Sequence, residues 1–178
     1  MFSVTACTSQ SDTTGSIVNE DTSINDLLID NDVGLFWTYD IDKAQELTPF
    51  EIIVPSYFPS DLVDQKEKCY IMGRLPDKWP LKDIKIDISY QNYSGDTLIG
   101  AIYITEINLT PLQLQSQNGL MLNINGTTVA HHENSIYMLS DLKTLWFRWN
   151  QDNVYIKVGI SGYSYDEALE VVKSMISN

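Results

Sequence analysis

The chain has 178 residues, a net charge of −13 from 24 acidic and 11 basic side chains, and two cysteines. The length fits one domain with an attached tail, because a single hydrophobic core usually takes about 100–200 residues. The acidic balance argues against a nucleic-acid-binding protein, since phosphate recognition depends on clustered Lys and Arg. The many Ile, Leu, Val, Tyr and Trp residues exclude a fully disordered or collagen-like chain, and the scarcity of Cys excludes a disulfide scaffold.

The acidic charge is concentrated near the N-terminus. Residues 1–48 hold nine acidic side chains and one basic side chain, so they carry −8 and the other 130 residues carry −5. Residues 8–25 are mostly Ser, Thr, Asp, Asn and Gln without a hydrophobic period, which is typical of a disordered linker. We therefore predict a flexible acidic tether over residues 1–34, with a short helical turn at 24–28, and a single α+β domain over residues 35–178.

The first strand signals are short. Residues 35–41 are rich in aromatic and β-branched side chains, which predicts a strand. Residues 50–54 form an apolar run that predicts a second strand, ended by Pro55 and Pro59 because proline cannot donate to a ladder. Residues 83–90 alternate between apolar and polar side chains, as a half-buried strand does.

Most of the remaining chain also predicts antiparallel strands. Turn formers at 92–96 separate the strand at 83–90 from an apolar run at 98–107, so these two segments should pair as a hairpin. Three further strands are expected at residues 120–124, 127–131 and 135–139, the second of them after the turn dipeptide Asn125-Gly126.

The last third carries the strongest local signals. Strands at 144–149 and 154–160 flank residues 150–153, which predict a four-residue hairpin loop. Ser164 followed by Glu167 is a capping box, and the apolar residues after it repeat at helical spacing. The predicted fold class is α+β, with a mainly antiparallel sheet of about six to eight strands and a C-terminal helix packed on one face.

The N-terminal cysteine lies in a lipobox-like sequence, Val4-Thr5-Ala6-Cys7. The small residues before the thiol suit a signal peptidase cleft, and a polar segment follows. A secretory signal also needs a charged region and about 7–15 apolar residues, whereas only Met1-Phe2-Ser3 come before Val4. We expect a truncated lipoprotein signal, lipidation at Cys7 and an extracytoplasmic location at the cell membrane. The alternative is an accidental match and a plain thiol. Cys69 is then a buried structural cysteine or, alternatively, the partner of Cys7 in a disulfide.

Several segments of the folded part occur in the order and spacing of a known bacterial family. They are residues 49–59 (PFEIIVPSYFP), 102–105 (IYIT), 123–126 (NING), 144–149 (TLWFRW), 154–156 (VYI) and 167–175 (EALEVVKSM). Over residues 49–176 the chain resembles the family described as domain of unknown function 4367. The resemblance implies an extracytoplasmic bacterial protein, often a lipoprotein or an outer part of anti-sigma-like and lipoprotein-carrier-like proteins. It implies no catalytic residue.

The sequence offers few groups for chemistry. His131 and His132 are adjacent on a predicted strand, so they should point to opposite faces and not share a metal. Residues 159–162 (GISG) lack the spacing of a nucleophile elbow. Residues 30–32 and 40–42 offer carboxylates, but without the glycine and closing glutamate of a calcium loop. We therefore predict no enzyme, no metal site and no cofactor.

Aromatic residues in the last hairpin are the more suggestive feature. Trp146, Phe147, Trp149 and Tyr155 occupy both parities of the two strands, so each face of the sheet should carry rings. We take them as a candidate binding patch, with a two-sided packed sheet as the alternative. The predicted function is a non-catalytic, lipid-anchored module that binds an envelope protein or component. The rival is a carrier or sensor of an apolar ligand, with a cavity between sheet and helix.

Overall fold

The computed structural model describes residues 27–63, 69–108, 120–134 and 142–176. They form one nine-stranded antiparallel sheet in the order β1-β2-β3-β4-β5-β9-β8-β7-β6, with two α-helices. The strands are β1 (Leu28–Asp30), β2 (Leu35–Thr38), β3 (Tyr70–Arg74), β4 (Lys85–Ser94), β5 (Thr97–Asn108), β6 (Leu120–Ile124), β7 (Thr127–Asn134), β8 (Thr144–Gln151) and β9 (Val154–Ser161). The helices are α1 (Ile41–Leu47) and α2 (Tyr165–Met175), and a 3₁₀ turn spans Leu81–Asp83. In this described part no helix is both long and apolar enough to cross a bilayer.

One face of the sheet carries the hydrophobic core. Ile102 and Ile104 of β5 lie opposite Ile160 and Val158 of β9, and all four side chains are buried. In each strand these residues belong to the alternating positions that are apolar. The register of the pairing places the apolar positions of neighbouring strands on the same side of the sheet. Helix α2, helix α1 and the segment 49–62 cover that side. We call it the core face.

Helix α2 begins where the sequence predicts. Ser164 Oγ accepts a hydrogen bond from the Glu167 backbone N–H at 3.3 Å, and the Glu167 carboxylate accepts one from the Ser164 backbone N–H at 3.0 Å. These bonds satisfy N–H groups that a helix leaves without partners in its first turn. The buried side of α2 joins the core through Ala168, Val171, Val172 and Met175. The mainly antiparallel sheet with a C-terminal helix is confirmed.

The strand number is larger than expected, nine rather than six to eight. The additional strands β1 and β3 are only three and five residues long, too short to show a clear period. Strand β1 begins at Leu28, inside the segments taken as a tether and as a helical turn. The expected strand at 135–139 lies outside the described residues.

The apolar run at 50–54 is not a strand. Its backbone bonds to side chains instead of a ladder: the Ile52 N–H donates to Gln45 Oε1 at 2.8 Å and the Ile53 N–H to Glu106 Oε1 at 2.9 Å. Helix α1, which was not expected, supplies Gln45. The strand predicted over 35–41 ends earlier, at Thr38. Asp40 instead caps α1, because its side chain accepts from the backbone N–H groups of Asp42 and Lys43.

Two hairpins close through two-residue turns with left-handed backbone. Asn125 and Gly126 have φ of 50° and 84°, and Asp152 and Asn153 have φ of 48° and 64°. Positive φ at both central residues defines the type I′ turn, which matches the twist of paired strands and favours Asn and Gly. The four-residue loop predicted for 150–153 is therefore shorter, since Asn150 and Gln151 still belong to β8.

Candidate functional site

The face of the sheet opposite the core is not covered by a described helix. We call it the open face. The registers place side chains from β3, β4, β5, β9, β8 and β7 on it in rows that run across the strands. One row is Met72, Asp87, Thr105, Lys157, Arg148 and Ala130, and its neighbour is Tyr70, Ser89, Tyr103, Gly159, Trp146 and His132.

A concavity of about 550 Å³ lies in the middle of the open face. Its aromatic lining residues come from three strands: Tyr70 from β3, Tyr103 from β5 and Trp146 from β8. Lys85 and Lys157 also line it. The volume falls within the range of about 300–1,000 Å³ that is common for small-ligand sites.

Trp146 packs on the sheet through a glycine. A Cβ atom at Gly159, its directly opposite partner, would come within 2.5 Å of the indole, so only glycine leaves room for the ring there. The Lys157 ammonium lies over the same ring, 3.9 Å from its centroid, in a cation–π contact. The glycine and the lysine together hold Trp146 against the sheet beside the concavity.

The basic side chains of the sheet share the open face. Within the described strands the Lys and Arg residues are Arg74, Lys85, Arg148 and Lys157, and the registers place all four on it. Arg148 and Lys157 are directly opposite each other on β8 and β9. The chain as a whole carries −13, so this clustering of positive charge opposes the overall balance.

Neighbouring charges and burial change the protonation equilibria of this cluster. The pKa of Lys157 is lowered, first by partial burial and then by Arg148 and Lys85. The pKa of His132 is lowered by partial burial, Arg148 and Lys157. Asp87 offsets the positive charge only in part, because its carboxylate already contacts Lys85 Nζ at 2.7 Å and accepts from Thr105 Oγ1 at 2.7 Å.

The structure divides the predicted aromatic patch between the two faces. Trp146 and Tyr155 are half-buried on the open face. Phe147 and Trp149 are both 0% exposed in the core, so they are not available to a partner. On β8 it is therefore Trp146 that contributes to the surface of the open face. Tyr70 and Tyr103, which the sequence did not single out, lie on the same surface.

The histidines point to opposite faces, as expected for neighbours in a strand. His131 is buried on the core face, where Nδ1 donates to the Trp146 carbonyl at 3.2 Å and the ring stacks on Phe147 with centroids 4.6 Å apart. His132 lies on the open face opposite Trp146. Across the described residues no group of three or more His, Cys, Asp or Glu side chains is placed to hold a metal ion.

The two cysteines differ in what the structure describes. Cys7 lies outside the described residues. Cys69 is a buried free thiol, with Sγ 4.0 Å from the Tyr39 carbonyl oxygen. Burial raises its pKa, so the thiolate that reactions require is disfavoured. These features fit a structural role.

Glu106 is a buried acid that the sequence analysis missed. It follows Ile102 and Ile104 in the core parity of β5 and is 0% exposed. Oε1 accepts from the Ile53 N–H, whereas Oε2 is a buried atom that has no hydrogen-bond partner within the described part of the chain. Burial raises its pKa to about 8, against a smaller opposing effect of the Ile53 bond. The sequence signal that could have revealed Glu106 is a carboxylate at a position of β5 whose neighbours of the same parity are apolar. Through its bond with Ile53, Glu106 holds the segment 50–54 on the core.

No family model, curated protein or solved structure matches this chain.

Proposed function

We propose that this chain is a non-catalytic binding module that contacts its partner through the open face of its sheet. The observation that carries the proposal is the contrast between the two faces. Helices and the segment 49–62 cover the core face, whereas the open face presents half-exposed rings and cations around a concavity of about 550 Å³. Uncovered aromatic surface next to a concavity is typical of interaction sites.

Packing between sheet and helix supports this reading over the rival carrier. A carrier of apolar ligands needs a cavity there, but the middle of that layer holds fully buried side chains from both sides. A concavity of about 530 Å³ lies only at the edge of the layer, between residues 49–54, the β8–β9 turn and the end of α2. Phe147 and Trp149 of β8 and Val171 and Val172 of α2 are each 0% exposed. A ligand entering between sheet and α2 would have to displace these side chains.

We further propose that the module is anchored outside the cytoplasm by lipid on Cys7. Support comes from the Val4-Thr5-Ala6-Cys7 motif and the polar composition of residues 8–25. Two acyl chains give stable membrane anchoring where one does not, and a diacylated cysteine meets that need.

Site-specific photo-crosslinking tests the use of the open face. A photoreactive phenylalanine derivative replaces Tyr155 on the open face or, as the matched control, Tyr57, which is 40% exposed in the segment that covers the core face. With native envelope fractions we expect a defined adduct from position 155 and none from position 57. Adducts from position 57 alone, or equal labelling at both, would contradict the proposal.

Membrane partition tests the anchor. The gene is expressed with its upstream DNA, and membranes are washed with high salt to remove proteins held by charge. We expect the wild-type protein to stay with the membranes and Cys7→Ala to appear in the soluble fraction. A wild-type protein that is already soluble refutes the anchor but leaves the open-face module untouched.

A further inference from the structure

We propose that Lys157, which lines the concavity, and Arg148, its cross-strand neighbour beside the concavity, form an oxyanion site on the open face. This site binds the phosphate-type group of a small soluble ligand seated in the concavity. The inference deepens the proposed function and rests on it for the use of this face. It adds the ligand's chemical class, which the aromatic lining alone does not define.

Positive charge is in local excess on the open face. Arg148 and Lys157 are directly opposite each other in neighbouring strands, an arrangement in which like charges destabilise a sheet. Lys85 approaches them from β4, but the Asp87 carboxylate pairs with it at 2.7 Å. Among the described residues no ion pair joins Arg148 or Lys157 to a carboxylate, although Asp87 acts on Lys157 at longer range. A phosphate group carries about the charge that would balance the two cations.

Two side-chain nitrogens on the open face are buried. Arg148 Nε and His132 Nδ1 are buried atoms that have no hydrogen-bond partner among the described residues. Arg148 Nε is always a donor, whereas His132 Nδ1 donates only in one tautomer of the neutral ring or when the ring is protonated. A buried donor without an acceptor is costly, so a ligand that supplies an acceptor oxygen gains from satisfying Arg148 Nε. An arginine fork binds phosphate and carboxylate oxygens in pairs, and a lysine adds a mobile positive charge.

The Lys157 ammonium lies beside the concavity. Trp146 holds Lys157 Nζ 3.9 Å from its ring centroid, and both residues line the concavity. The cation is thereby kept beside the volume that a ligand would occupy. The neighbouring Tyr70 and Tyr103 offer ring surface for the uncharged part of the ligand.

The overall charge selects a small ligand over a large polyanion. A net charge of −13 repels an anionic bilayer or a nucleic acid, whose many charges extend well beyond one site. A small molecule meets only the local field of Arg148 and Lys157. The concavity of about 550 Å³ also suits a molecule of that size.

The test uses inorganic phosphate and pyrophosphate as probes, with sodium chloride added to keep ionic strength constant. Binding is followed by NMR of the full chain, in which His132 and His131 are the only histidines. We expect saturable shifts at His132 and a rise in its pKa as the anion binds, without the same change at buried His131. The variants R148Q and K157Q should bind roughly tenfold more weakly, because each loses a charge-assisted contact.

Lys173→Gln is the matched control. Lys173 lies on α2, away from the open face, and pairs with Glu170 at 2.7 Å, so its loss should leave probe binding unchanged. Without the probes, R148Q should be as stable as the wild type or slightly more stable, because it removes a repulsion. K157Q should be close to the wild type, because the repulsion it removes offsets the cation–π contact with Trp146 that it loses. This outcome separates a lost site from a lost fold.

Three results would overturn the oxyanion site: no saturable response to either probe, equal weakening in K173Q, or the same shifts in a separate titration with sodium chloride alone. Vesicles of phosphatidylglycerol distinguish the source of the phosphate, since binding to vesicles without a response to the free probes refutes a soluble ligand. A crosslinked partner at position 155 with no probe response leaves the proposed module standing and removes only its oxyanion site.

Discussion

Neutralising Glu106 permanently should change how the stability of this protein depends on pH. The side chain is 0% exposed, and burial raises its pKa from 4.5 to about 8. The folded state therefore binds the proton more tightly than the unfolded state. Its stabilising contribution is complete below pH 4.5 and is lost progressively as the pH rises through about 8.

The size of the effect follows from these two values. Each tenfold difference in proton affinity is worth about 1.4 kcal/mol, so the full change in the free energy of unfolding is about 5 kcal/mol. Between pH 5 and pH 8 the expected loss is roughly 3–4 kcal/mol. In Glu106→Gln, the amide oxygen still accepts from the Ile53 N–H while the titrating proton is gone. The amide NH₂ of the glutamine then takes the place of Oε2, which has no hydrogen-bond partner among the described residues. Leaving these buried donors without acceptors costs about 1–3 kcal/mol, and this cost does not vary with pH.

Urea denaturation at a series of pH values measures the effect. The free energy of unfolding of the wild type minus that of Glu106→Gln should fall by roughly 3–4 kcal/mol from pH 5 to pH 8. Glu51→Gln is the control, because Glu51 is exposed two positions from Ile53. Its profile should run parallel to the wild type over the same range.

Parallel profiles for the wild type and Glu106→Gln would refute the reasoning, since they would mean that Glu106 has the same proton affinity folded and unfolded. A wild type that gains stability relative to the variant as the pH rises would reverse the sign and point to a carboxylate stabilised by a cation. Titrations of other groups cancel in the difference because both proteins share them.

Three further predictions test the packing. Trp149→Ala should cost about 3–5 kcal/mol of stability and Trp146→Ala clearly less, both by urea denaturation, because only Trp149 is fully buried in the core; equal losses would contradict the division of the two faces. Ser164→Ala should cost about 1 kcal/mol by removing the N-cap of α2, with Ser164→Gly expected to cost only a few tenths; a cost of zero for the alanine would show that the cap does not matter. Cys69 should react with a thiol reagent slowly in native buffer and rapidly in urea, measured by mass spectrometry, and rapid native labelling would show an accessible thiol.

Local signals predicted the elements that depend on neighbours in the chain. The capping box at Ser164 and Glu167 placed the start of α2 correctly, since both partners lie within one helical turn. Strict alternation located β4 and β9, because the pleat has a period of two. The run at 50–54 was misread, since its backbone partners, Gln45 and Glu106, are side chains that sequence proximity does not reveal.

The lipobox-like motif at Cys7 and the uneven distribution of acidic charge are properties of the sequence alone. Sequence also showed that rings occupy both parities of β8, but not which parity enters the core. That choice depends on where α2 and the segment 49–62 pack, and they bury Trp149 while leaving Trp146 on the open face. The cationic row likewise exists only in the folded sheet, because antiparallel pairing of β5 with β9 brings Lys85 of β4 to the same face as Arg148 and Lys157. The composition shows only a net charge of −13, and the cluster of positive charge on the open face forms only when the strands pair.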